Sequence, residues 1–181
     1  MGNSAQTREP AYVLAEPKVE ELADRTDERA QFVVEEHGRA VYVHIESGGH
    51  AVKTNTHVGK HNPIHASAGG LAILAHADRE RVEAIVDRRG LECLTDYTIT
   101  DREALFEELE AIRDRGYSIN DQGHIEGLRA IGAPVMSPDG NVIGALSICG
   151  PTNRLQGQRF EEGLPNLLLG STNELELNVA Y

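Results

Sequence analysis

The run Val142-Ile-Gly-Ala-Leu-Ser-Ile-Cys149 constrains the fold more than any other stretch of this chain. Side chains of a strand point alternately to opposite faces. Val142, Gly144, Leu146 and Ile148 therefore share one face, while Ala145, Ser147 and Cys149 share the other. The first face is bulky enough to be core. The second is small and weakly polar, which leaves room for something other than protein, or for a helix packed closely over it. Leu128 to Met136 is a second β-rich run, joined to the first by Ser137-Pro-Asp-Gly140, a strong turn signal. It contributes Ala130 and Gly132, also small, while Pro134 cannot donate to a ladder and marks an edge or a bulge.

The remaining periodicities fill in the elements around this pair. Val13, Leu14, Val19, Leu22 and Ala23 recur at helical spacing between Glu9 and Asp27, with Pro10 in a first turn and Pro17 kinking or restarting the helix. Residues 1–8 lack apolar periodicity and read as frayed. Phe32-Val-Val34 and Val41-Tyr-Val-His-Ile45 flank His37-Gly38-Arg39, a hairpin signal, and Ala51 to Thr54 is expected to add a strand. The run from His57 to Ala77 is a loop entering a small-residue helix. Asp78 caps a further helix whose Val82, Ile85 and Val86 share a face, and Gly90 ends it. Thr100-Asp-Arg-Glu103 has the form of a capping box opening a helix with Leu105, Leu109 and Ile112 on one side, closed by Gly116. A terminal amphipathic helix starts near Phe160, with Pro165 bending or starting it. Strand pairs linked by hairpins and interleaved with helices predict an α+β fold with a mainly antiparallel sheet flanked by helices.

Composition excludes several functions. The 181 residues suit one domain with a helical arm, and 40% hydrophobic content is enough for a core. No run of about 18 apolar residues exists, so no membrane span is expected. The polar start MGNSAQTREP lacks a secretory signal, so the cytoplasm is the expected compartment. A net charge of −12 repels phosphate backbones, so nucleic acid is not expected to bind the bulk field of this chain. Only Lys18, Lys53 and Lys60 of the 17 basic residues are lysines, a pattern of high-salt cytoplasm as well as of ordinary acidic domains. Cys93 and Cys149 form no CxxC pair and read as reduced thiols.

Two features could carry chemistry. In Ile64-His-Ala-Ser-Ala-Gly-Gly-Leu71, small residues at a helix start leave backbone N–H groups uncovered, and those groups with the helix dipole attract a carboxylate or phosphate. Tight packing of that helix on the sheet would want the same residues. The small face of Val142–Cys149 is the second. His57, His61, His65, His76 and His124 show no metal-ligand spacing, so no metal or cofactor is expected. Cys149 with His65 or His124 is the one nucleophile–base pair to name, and no P-loop, GxGxxG or GxSxG elbow occurs, so an enzyme is not expected.

Together these blocks resemble the IclR family of transcription regulators. Pro63-Ile-His-Ala-Ser-Ala-Gly-Gly-Leu-Ala-Ile-Leu-Ala75 is similar to the family's P-x-H-A-x-A-x-G-K-A-x-L-A motif. Thr95 to Gly116 is similar to its T-x-x-T-I-T…IR..GY segment, and Asn120 to Pro151 to its G-L-R-x-I-A-A-P-V…G-A-L-S-I-S-G-P segment. The resemblance implies a GAF- or PAS-like domain that binds small organic acids and forms homodimers or homotetramers. DNA is contacted in that family only through a winged-helix domain upstream, which these residues do not include. Residues 1–28 would be a linker-helix remnant, since Gly2-Asn3-Ser4-Ala5 resembles a linker interior, and residues 29–181 the effector-binding domain. The family's pocket maps onto backbone N–H groups of Ala68, Gly69, Asn120 and Ala130 and onto the side chains of Ser147 and Cys149. Cys149 stands where a serine is usual, exchanging a good donor for a weak one. Gln122 and Gly123 stand where two acids are common, and Leu71 where lysine is. The alternatives are a GAF-like enzyme with a reactive cysteine and a dimerisation module with a filled pocket.

Overall fold

The computed structural model describes residues 2–181, with side chains described from Pro10 onward. Its sheet is assembled from two hairpins that are distant in sequence. β1 (Arg29–Glu36) and β2 (Arg39–Ser47) pair antiparallel, and β3 (His61–Pro63) extends that hairpin at the edge. His37 and Gly38 between them take φ of 51° and 80°, the pair of left-handed residues whose twist matches that of the strands. β4 (Ser118–Asp121), β5 (Leu128–Met136) and β6 (Val142–Pro151) make the second antiparallel set. Pairing of β1 with β6 joins them into one six-stranded sheet of order β3-β2-β1-β6-β5-β4. This is the α+β, mainly antiparallel arrangement that the strand pattern predicts.

The two faces of the sheet are filled differently. On one, Phe32, Val34, Ile131, Leu146 and Ile148 pack against α1 (Gly2–Thr26) and α5 (Leu164–Ala180), which supply Ala11, Ala15, Val19, Leu22, Leu168 and Leu175. On the other, Val33, Tyr42 and Ala145 meet α2 (Ala68–Ala75), backed in turn by α3 (Arg79–Arg89) and α4 (Arg102–Arg115). Every residue of α2 is buried, because one side rests on the sheet while α4 covers another, so its apolar character runs all round. Val82, Ile85 and Val86 of α3 and Leu105, Leu109 and Ile112 of α4 face this core as their spacing predicts.

Several local expectations are corrected. The first helix reaches back to Gly2 instead of starting near Glu9, and it is continuous through Pro10 and Pro17. Residues 51–54 form no strand; the chain turns at Gly48, packed on the Asp27 backbone, and the edge partner of β2 comes later, from β3. Asp101, not Thr100, caps α4: its Oδ2 accepts from the Ala104 N–H at 3.0 Å, placing a carboxylate at the positive end of the helix dipole. Asp78 occupies the N-cap position of α3 without a side-chain cap bond. Pro165 sits in the first turn of α5, which follows a short π-helical turn at Arg159–Gly163. Pro134 lies beyond the end of the β4 pairing and beside the irregularity at Val135/Met136.

Candidate effector site

The site arises where α2 stops short of the end of the sheet. Registers align the inward-facing residues in rows: Gln31, Ser147, Gly132 and Ser118 form one, and Arg29, Cys149, Ala130 and Asn120 the next. The first residue of α2 sits over the former row. A Cβ on Gly132 would lie 2.6 Å from the Ala68 carbonyl oxygen, and the Ser118 hydroxyl donates to that oxygen at 2.5 Å. α2 touches the second row through Ala68, against Ala130 and Cys149. A small pocket with about 20 Å³ of free space opens there, lined by Arg29, Gln31, Tyr42, Ser67, Ala68, Asn120, His124, Ile125, Leu128, Arg129, Ala130 and Cys149.

Of the six residues singled out in the sequence, Ala68, Asn120, Ala130 and Cys149 line this pocket together. Gly69 and Ser147 do not. Gly69 packs on Val33, with its Cβ position 3.1 Å from a Val33 methyl. Ser147 is fully buried, and its hydroxyl has no hydrogen-bond partner among the described residues. At the start of α2 the Ser67 hydroxyl accepts from the Gly70 N–H at 3.0 Å and the Ser67 carbonyl from Leu71, so the N–H groups of Ala68 and Gly69 are the ones that this cap leaves over.

The dominant charge in the pocket is one that sequence reasoning missed. Arg29 is 5% exposed. Its Nε donates to Gln31 Oε1 at 3.1 Å and its Nη1 to the Thr54 hydroxyl, a further bond joins it to the Cys149 side chain, and all three partners are neutral. Among the described residues no carboxylate forms an ion pair with it; the adjacent Glu28 is engaged elsewhere, by Arg154 at 2.8 Å and Arg159 at 3.5 Å. A buried guanidinium without a counter-charge is costly, and an anion entering the pocket would compensate it. Continuing the alternation backwards from Val33 through Gln31 to Arg29 would have placed it on the inner face. His124, also missed, sits on a loop with no periodic pattern to reveal it.

The titratable groups around Arg29 are held neutral. Burial pushes the Cys149 thiol up, against the pull of Arg29, so it stays protonated at neutral pH and is a poor nucleophile. Burial raises Tyr42 as well. His124 is lowered by burial, then by the charges of Arg29 and Lys60. Asn62, beside Tyr42, is buried as well. No three His, Cys, Asp or Glu side chains gather to hold a metal among the described residues. A larger trough near 500 Å³ runs past His76, Arg79, Phe106 and Arg113. Its cations are already occupied: Arg79 stacks 4.1 Å over Phe106, and Arg113 donates to the Ala75 carbonyl at 3.1 Å. No described helix is long and apolar enough to cross a membrane.

Comparison with known proteins gives a consistent result. The family model for the bacterial transcriptional regulator IclR C-terminal region matches residues 7–172. The chain is 32% identical over 182 residues to the "Probable HTH-type transcriptional regulator ArcR" of Halobacterium salinarum, covering 99% of this chain and 69% of that protein. It is 38% identical over 119 residues to the p-hydroxybenzoate hydroxylase transcriptional activator of Acinetobacter baylyi, covering 66% of this chain and 44% of that one. Among solved structures, an IclR homolog from Microbacterium hydrocarbonoxydans complexed with 4-hydroxybenzoate superposes with a TM-score of 0.82 at 29% identity, over 97% of this chain and 69% of the other. The chain thus spans between about half and two thirds of the length of these relatives.

Proposed function

This chain belongs to the IclR family of transcriptional regulators through their C-terminal domain, and on that premise we propose that it is a sensor for a small organic acid. The observation that carries the reading is Arg29: a guanidinium 5% exposed, facing a pocket, with no carboxylate paired to it among the described residues. The ligand's carboxylate would accept from Arg29, with the N–H groups of Ala68, Gly69, Asn120 and Ala130 as further donors. Cys149, on the pocket wall, would fix its orientation, while Ser147 lies one row away from it. An aromatic hydroxy acid is the first class to try, because relatives are named for, or solved with, hydroxybenzoates. The free space of about 20 Å³ is well below that of a filled small-molecule site, so an acid would enter by moving the loop wall that carries His124 and Ile125.

At the level of the whole regulator, residues 1–28 would lead as a linker helix toward a winged-helix DNA-binding domain. The domain would form dimers or tetramers, and the acid would shift DNA binding by preferring one arrangement of the subunits. Thermal-shift and calorimetric titration with benzoate, 4-hydroxybenzoate, 3-hydroxybenzoate, pyruvate and the neutral analogue benzamide tests the core of the proposal. At least one acid is expected to bind and benzamide to fail. Arg29→Met should weaken the acid by about 10- to 100-fold, the worth of a charge-assisted hydrogen bond. Equal affinity for acid and amide, or an unaffected Arg29→Met variant, would overturn it.

A further inference from the structure

We propose that Thr95 and Thr98 are positioning residues for the acid site: their hydroxyls pin the loop that carries His124 over the pocket. This rests on reading that pocket as the acid site. The two threonines belong to a tight coil, their hydroxyls 3.4 Å apart. Thr98 Oγ1 accepts from the N–H groups of Leu94 at 3.1 Å and Thr95 at 3.0 Å, and Thr95 Oγ1 accepts from the Tyr97 N–H at 3.0 Å. Each hydroxyl then has one proton to give. Thr95 donates to the Gln122 carbonyl at 2.7 Å and Thr98 to the Gly123 carbonyl at 2.6 Å.

Two consecutive carbonyls of the loop are thereby fixed, and Gln122 is held at φ 68°, a left-handed conformation a side-chain-bearing residue seldom adopts unaided. From the other side Asn120 completes the grip: its Oδ1 accepts from the Gly123 N–H at 2.8 Å while its Nδ2 donates to the Ala66 carbonyl at 2.6 Å, just ahead of α2. The next residue is His124. Its ring makes no hydrogen bond among the described residues, so the backbone before it decides where the imidazole lies. It lies on the pocket wall, where Arg29 from β1 and Lys60 from the coil before β3 are the charges acting on it. Neutral there, the ring narrows the pocket and shields the guanidinium from water without adding a second cation.

The test uses Thr95→Val/Thr98→Val, Thr98→Ser, and Leu109→Ala as a variant that loosens the fold away from the loop. The readouts are the His124 titration followed by NMR in ligand-free protein and the affinity for 4-hydroxybenzoate by calorimetry. In the double valine variant His124 is expected to titrate closer to an ordinary histidine as its ring reaches water, and the acid to bind about tenfold more weakly. Thr98→Ser should match the wild type in both. Leu109→Ala should lower the melting temperature and leave His124 unmoved. The proposal is overturned if the double variant titrates like the wild type, if Thr98→Ser behaves like it, or if Leu109→Ala shifts His124 equally. Should no acid bind the wild type while His124 still shifts in the double variant, the loop assignment holds and the acid reading is what fails.

Discussion

Arg29 places a full charge where water scarcely reaches and where only neutral groups answer it among the described residues: an amide oxygen, a hydroxyl and the Cys149 thiol. Without ligand, that arrangement penalises the folded state, because desolvation of an ion costs several kcal/mol and neutral partners return only part of it. Replacing Arg29 by methionine, similar in length and free of charge, should therefore leave the ligand-free protein as stable or raise its unfolding free energy by about 1 kcal/mol or more. Urea denaturation measures this. A loss of stability on that substitution would mean the guanidinium is already satisfied. The expected pairing, binding lost and stability kept or gained, is the trade-off found where a site is held in strain for its ligand. The small residues opposite Arg29 were legible in the chain: Ala130, Gly132, Ser147 and Cys149 share a face by alternation alone. Arg29 itself was not, since the strand was read as beginning at Phe32. Its missing counter-charge is a tertiary fact: it depends on Glu28 being taken by Arg154 and Arg159, far along the chain.

At the level of elements, the pocket sits where α2 begins: its first residue, Ala68, lies close to β5 over Gly132 and reaches Ala130 and Cys149 of the following row. Gly132 permits that approach; a methyl there would sit 2.6 Å from the Ala68 carbonyl oxygen and 2.9 Å from the Ser118 hydroxyl. Gly132→Ala is expected to push the start of α2 off the sheet and to cost about 1–3 kcal/mol, as overpacking of a close contact does. It should also weaken acid binding, because the N–H groups of Ala68 and Gly69 move with the helix. A melting temperature and an acid affinity both equal to wild type would show that the helix start is free to adjust. Helices were read well where period and stop signals coincide, as in α3 and α4. The cap of α4 slipped by one residue because Thr100 and Asp101 are both good caps, and only backbone geometry chooses between them. Edge strands were read worst. β3 and β4 have three and four residues, too few for alternation to show, and each is recruited by the longer strand beside it.

For the molecule as a whole, charge and burial pull the pH response in opposite directions. The net charge of −12 is self-repulsive, so raising KCl from 0.1 to 1 M, which shortens the screening length from about 10 to about 3 Å, should raise the melting temperature. Acidification toward the isoelectric point near 5.1 relieves the same repulsion. Three histidines act against that relief. His65 and His76 are lowered chiefly by burial, His76 also by Arg113, and His124 by burial and then by Arg29 and Lys60. Where a folded pKa lies below the unfolded value, the unfolded chain binds more protons across the interval between them. The stability these neutral rings allow is therefore present above the unfolded value of about 6.5 and is lost as pH falls from there through the folded values. Glu176, raised by burial, works in the other sense, but around the carboxylate range at the lower end of the interval. In 1 M KCl, with repulsion screened, the histidines dominate, and the unfolding free energy should fall between pH 7.5 and 5.5. In 0.1 M KCl the decline should be shallower, because relief of repulsion offsets it. Urea titrations at those two pH values and two salt concentrations decide the matter, and a steeper decline at low salt would show that the buried histidines do not govern the response.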